Sequence, residues 1–166
     1  MSTIRSIVNE RLAPEGRDKI FAGQLHRALR KARVGRVVGA ETFSSELGEP
    51  LRFEIMITTS NPEGVADFVM GHAEAVGAPR GSYLTVDDGP RRPFGTTEGV
   101  GLCLDGIGLP SHVYRDNDVN DGIERLKTKV DGLGENRDFW KGPRETALNF
   151  YGDDAASLAQ RLGEAA

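Results

Sequence analysis

Leu51, Phe53, Ile55 and Ile57 alternate with Arg52, Glu54, Met56 and Thr58, a period of two that predicts a strand with one buried and one wetted face. "GRVVGAETF" ahead of it predicts a second strand, and "SSELGEP" supplies the turn residues between them. Upstream the period changes to that of a helix. In "RDKIFAGQLHRALRKARVG", Phe21, Leu25, Ala28, Leu29 and Ala32 form one stripe, Arg27, Arg30, Lys31 and Arg33 stand opposite, and Gly35 is the stop. A second helix follows in "SNPEGVADFVMGHAEAVGAP", with Asn61 as N-cap, Pro62 in the first helical position and Gly77 as the stop. Its apolar stripe is Val65, Phe68, Val69, Ala73 and Val76.

"SYLTVDDGPRRPFGTTEGVGLCLDGI" reads as strand, polar loop, strand, with Leu84, Val86, Val100, Leu102 and Leu104 facing inward. After the loop "GLPSHVYRDN", the residues Val119, Ile123, Leu126, Val130 and Leu133 recur at alternating spacings of four and three and predict a helix capped by Asp118. "ETALNFYG" predicts a strand, and "DDAASLAQRLGEA" a last helix capped by Asp153 or Asp154. From residue 51 onward the order is therefore strand, helix, strand, strand, helix, strand. That order predicts an α+β fold, a ferredoxin-like (split βαβ) sheet with helices on one face. An N-terminal helical extension (1–35), an extra strand before the sheet and a C-terminal helix complete a single domain spanning 1–166, whose sheet-and-helix core is 36–166. Trp140 falls outside the alternation and is read as a lid closing one end of that sheet.

Charge narrows the function classes. The formal net charge is −4, which disfavours a nucleic-acid partner, because such binding draws on neutralised phosphates. The basic residues at 27–36 are the opposing evidence, but as the face opposite an apolar stripe they read as solvated. Neither central strand of the predicted sheet offers a ring on which a base would stack. Cys103 is the one cysteine, so neither an intrachain disulfide nor a multi-cysteine zinc site is expected. With no apolar leader pattern in the opening residues and no apolar run of membrane-spanning length, the expectation is a cytoplasmic protein without membrane insertion.

Candidate chemistry is sparse. Asp116, Asp118 and Asn120 stand at the first three ligand positions of a calcium loop, but Asp121 and Lys127 occupy the positions that need Gly and Glu. His26, His72 and His112 have no second ligand at metal spacing, so no metal site is expected. A Cys103–His72 pair is placed on opposite faces of the sheet, beyond the reach that activates a nucleophile. No phosphate loop exists, no cofactor is implied and no catalytic residue is assigned. Two features carry a binding reading. The sheet's open face presents Met56, Tyr83, Cys103 and Tyr151, bordered by Asp87, Asp105 and Asn149, a composition suited to a protein partner or to a second copy in a homodimer. The loop with Asp88, Arg91 and Arg92 is the candidate ligand loop.

Size, charge and element order over 36–166, with the segments "LPSHVYRDND" and "WKGPRETALNFYG", resemble the small acidic α+β proteins that bacteria use as toxin-immunity or enzyme-inhibitor partners. The resemblance implies a non-enzymatic inhibitor or immunity factor that binds another protein, of basic character given the acidic surface. One alternative is a small-molecule-binding regulatory domain with its pocket between the Asp87–Arg92 loop and the sheet face. A further alternative is an enzyme that uses Asp87, Asp105 or His112 as acid or base.

Overall fold

A computed structural model of the protein describes residues 1–116 and 118–164. They divide into two compact units, Met1–Thr97 and Glu98–Ala166.

The first unit opens on a strand, β1 (Ser2–Val8), and continues through a helical stretch to β2 (Arg36–Ser44), β3 (Pro50–Thr59), α3 (Pro62–Ala75), β4 (Ser82–Val86) and β5 (Arg92–Phe94). The helical stretch is α1 (Pro14–Arg17), a π-helical turn at Asp18–Ala22 and α2 (Gly23–Ala32). The sheet runs β2-β3-β1-β4-β5 and every pairing within it is antiparallel. Strand, helix, strand, strand, helix, strand, with the first strand central, is the ferredoxin-like arrangement. It is completed here within residues 1–97 and extended by β5.

The register explains the core. Ile4, Ser6 and Val8 lie opposite Ile57, Ile55 and Phe53, and that face is covered by Phe21, Leu25 and Leu29 from the first helical stretch and Val65, Ala66 and Val69 from α3. Phe21 packs on Phe53 with ring centroids 5.2 Å apart. Asn61 caps α3 as expected, its side chain accepting from the Gly64 amide at 3.3 Å, and Gly77 stops the chain at φ +83°.

The helical extension at 1–35 is thus corrected, since its first residues form the central strand. The alternation of Ile4, Arg5, Ser6, Ile7 and Val8 is a strand pattern weakened by a serine at a core position, where Ser6 is buried. A weak period next to a strong helical one leaves the stronger pattern dominant.

The second unit repeats most of this order: β6 (Glu98–Asp105), α4 (Ser111–Asp116), α5 (Val119–Lys129), β7 (Gly134–Lys141), β8 (Glu145–Gly152) and α6 (Ala155–Gly163). Its sheet runs β6-β8-β7, antiparallel throughout. Leu148 and Phe150 on β8 pack with Leu126 and Val130 of the α5 segment and with Leu158 and Leu162 of α6. Ile123 and Leu133 join them as predicted, whereas the side chain of Val119 lies outside the described residues. Asp118 and Asp154 cap their helices by accepting amide hydrogens from Asn120 and Ala156.

Two further expectations change. The strands at 51–59 and 98–105 do not share a sheet: β3 belongs to the five-stranded one and β6 to the three-stranded one. Trp140 is not outside the alternation but on β7, opposite Ala147. A register shift between Asn136 and Asp138 breaks the period in "GENRDFWK" and hides that strand. Trp140 is half-buried, with its indole lying where a side chain on Gly142 would go. Among the described residues no helix is long and apolar enough to cross a membrane.

Candidate functional site

The residues expected to form one open sheet face fall on two sheets. Met56 and Tyr83 are half-buried on β3 and β4. Met56 lies opposite Gly39, its terminal methyl filling the space a side chain there would need. The Tyr83 ring lies under the Arg91 guanidinium at 4.3 Å. In the second unit Cys103 is exposed on β6, Asn149 and Tyr151 are buried on β8, and the Tyr151 ring lies across Gly99. Asp105 ends β6 and accepts from the amides of Ile107 and Gly108 at 2.8 and 2.6 Å, which hold its carboxyl below the ordinary range.

The predicted ligand loop satisfies its charges locally. Asp87 and Asp88 are the two central residues of a tight turn closed by the Gly89 amide donating to the Val86 carbonyl at 2.8 Å. Both have positive φ, +47° and +59°, a conformation that Asp tolerates better than most residues. Asp87 accepts from the Thr3 amide at 2.7 Å, and this bond, with a second from Ser2, depresses its pKa. Asp88 lies 3.7 Å from Arg5, which also pairs with Glu54 at 3.3 Å. Arg92 pairs with Glu63 at 2.7 Å. A small recess of about 250 Å³ remains beside Thr3, Arg5, Asp87 and Asp88, and its one cation is already shared between two carboxylates.

A larger cleft lies in the same unit, where α2 ends and β2 begins. It has a volume of about 860 Å³ and is bounded by His26, Arg30, Arg33, Arg36, Val37 and the β3 end at Thr58, Thr59 and Ser60, among others. Local rules build it. The chain leaves α2 through Arg33 in the left-handed region at φ +57°, and the Val34 amide donates back to the Leu29 carbonyl at 3.2 Å. The Thr59 hydroxyl then donates to the Val34 carbonyl at 2.6 Å and accepts from the Asn61 amide at 2.9 Å, tying the turn to the end of β3. Gly35 lets the backbones approach, since a Cβ there would stand 3.0 Å from the Thr58 carbonyl oxygen.

The electrostatics of this cleft are one-sided. No acidic residue lines it, and none occurs in the sequence between Asp18 and Glu41. Arg30, Arg33 and Arg36 are exposed, and among the described residues no carboxylate pairs with any of them. Cations at a helix C-terminus answer the macrodipole, which accounts for Arg30 and Lys31 in the last turn of α2. It does not account for Arg36, which sits on β2. Thr58 differs from Thr59 in having a buried hydroxyl oxygen with no hydrogen-bond partner, a state that costs about 1–3 kcal/mol. The sequence shows the cations plainly. It does not show that Arg36 comes to lie opposite Thr58, which requires the β2–β3 register.

Neither a protein-family model nor a curated protein sequence matches the chain. Solved structures are similar to it over nearly its whole length. One is the crystal structure of aspartokinase alpha and beta subunits, at 16% identity and TM-score 0.33, covering 98% of this chain and 91% of that one. Another is the ligand-free regulatory subunit of aspartate kinase from Thermus thermophilus, at 10% identity and TM-score 0.33, covering 99% and 92%. A third is a putative glycine cleavage system transcriptional repressor, at 10% identity and TM-score 0.30, covering 99% and 88%.

The expectation of an inhibitor or immunity factor is corrected. The partner surface expected for it was the open face of a single sheet, and Met56 and Tyr83 lie on a different sheet from Cys103, Asp105, Asn149 and Tyr151.

Proposed function

We propose that the protein is a small-molecule-binding regulatory domain whose ligand occupies the cleft at the α2–β2 junction. The observation that carries this reading is a volume of about 860 Å³ lined by three arginines without ion pairs and by no acid. That volume suits a metabolite-sized ligand. A ligand bridging the cations of the α2–β2 turn and the hydroxyls at the end of β3 favours the arrangement in which the two are apposed, by as much as its affinity for that arrangement exceeds its affinity for any other. Regulation needs no more than such a difference. A cytoplasmic setting belongs to the same proposal and is supported by a sequence with a single cysteine, which has no intrachain disulfide to form in an oxidising compartment.

A thermal-shift screen of metabolites against the full chain tests the reading. A ligand present at about 100 times its dissociation constant stabilises the fold by about 2.7 kcal/mol, a rise of several degrees for a protein of this size. A screen in which anionic metabolites leave the melting temperature unmoved would reject the proposal.

A further inference from the structure

We infer that the cleft recognises a phosphate group carried by a small molecule. The inference rests on the reading of the cleft as a ligand site and names the ligand's chemistry. Charge decides first. A phosphate monoester carries about −1.5 to −2 charges near neutral pH and offers three strong acceptor oxygens, whereas a carboxylate carries one charge on two oxygens. Arg30, Arg33 and Arg36 bring three guanidinium groups to one cleft with no carboxylate among its lining residues, so a single carboxylate would leave most of that charge uncompensated. Guanidinium forks also match phosphate oxygens two at a time.

The hydroxyl donors give the second argument. Thr58 and Ser60 are two residues apart at the end of β3 and both line the cleft. The intervening Thr59 spends its hydroxyl on the Val34 carbonyl, while the Thr58 hydroxyl has no partner among the described residues. Arg36 is the register partner of Thr58 across β2 and β3, so a cation and an unspent donor share one face at one level. A tetrahedral acceptor held by Arg36 would stand beside the Thr58 side chain. An α-helix N-terminus is not involved, since the helix that borders the cleft contributes its C-terminal end and its cations.

The test is a titration of the full ¹⁵N-labelled chain with glycerol 3-phosphate and inorganic phosphate, with citrate as the carboxylate arm and a short single-stranded RNA as the polymer arm. The expected result is a saturable shift of the amides at 33–36 and 58–60 with both phosphates. Arg36→Gln should weaken binding about tenfold or more, the loss that removal of one charged hydrogen bond produces. Thr58→Val should weaken it while leaving the other amides in place, which separates lost recognition from lost folding. Binding of citrate at those amides without binding of either phosphate would overturn the phosphate assignment and leave the small-molecule cleft standing. RNA binding there far more tightly than any small anion would overturn both readings. Shifts scattered over the outer face of α2 and erased by moderate salt, or no shifts at all, would overturn the site itself.

Discussion

Arg36 and Thr58 stand opposite each other across the β2–β3 ladder; both residues line the same cleft, and the buried Thr58 hydroxyl has no hydrogen-bond partner among the described residues. Valine has nearly the shape of threonine without the hydroxyl. Thr58→Val should therefore raise the stability of the ligand-free protein by about 1 kcal/mol, because it removes an unsatisfied polar group and no hydrogen bond. Urea unfolding measures the change. A loss of stability would mean that the hydroxyl serves the fold and is not held in reserve for a ligand.

Gly95 follows β5 at φ +94°, and a Cβ there would overlap the Pro79 carbonyl. The neighbouring turn is fixed by the Thr96 amide donating to the Ala78 carbonyl at 3.0 Å. Gly95→Ala combines left-handed strain with a backbone clash and should cost roughly 2 kcal/mol or more. A denaturation midpoint equal to that of the unsubstituted protein would contradict the turn geometry.

Asn61 begins α3 by accepting from the Gly64 amide, and its own amide donates to Thr59, the residue that ties β3 to the α2–β2 turn. Asn61→Ala should destabilise by about 1 kcal/mol, the ordinary loss at an N-cap. Because the backbone bond to Thr59 survives the substitution, anion titration should be nearly unchanged. Calorimetry and the titration together separate the two effects.

Acid should weaken the fold through three carboxylates. Asp87 is held below the ordinary range chiefly by the Thr3 amide, Asp105 by the amides of Ile107 and Gly108, and Asp154 by the Ser157 hydroxyl and then the Ala156 amide. A folded pKa lower than the unfolded one, near 3.9 for Asp, gives stability that is fully present above the unfolded value. That stability is lost as the pH falls through the folded values, below about 4. Side-chain carboxyl NMR should show all three titrating below the unfolded value. Midpoints at or above it would remove the predicted acid sensitivity.

Most of the elements were legible because their signals are local. The alternation in "LRFEIMITT", the spacing of Ile123, Leu126 and Val130, and the caps Asn61 and Asp118 each need only neighbouring residues to be read. The strands that escaped are those whose local signal is broken. Ser6 interrupts the apolar face of β1, a register shift interrupts β7, and β5 is three residues long and contains a proline. The candidate site was half legible. Arg30, Arg33 and Arg36 stand out as cations without acids nearby in sequence, yet a basic stripe on a helix reads as solvated until its last members are seen to turn onto a sheet. The loop of Asp87, Asp88, Arg91 and Arg92 looked the better ligand site for the opposite reason, since its charges are conspicuous in sequence and are answered by Thr3, Arg5, Tyr83 and Glu63 from elsewhere in the chain.

By itself the sequence determined the alternation of strands and helices, where most helices start and stop, and the ferredoxin-like class that such an order can adopt. Those properties follow from side-chain periodicity and backbone capping within a few residues. Only the tertiary structure decided which strands share a sheet, that β1 is central, and that Arg36 meets Thr58. Strand pairing is a contact between segments far apart in the chain, and its register depends on how both faces are buried at once, a condition that no single stretch of residues carries.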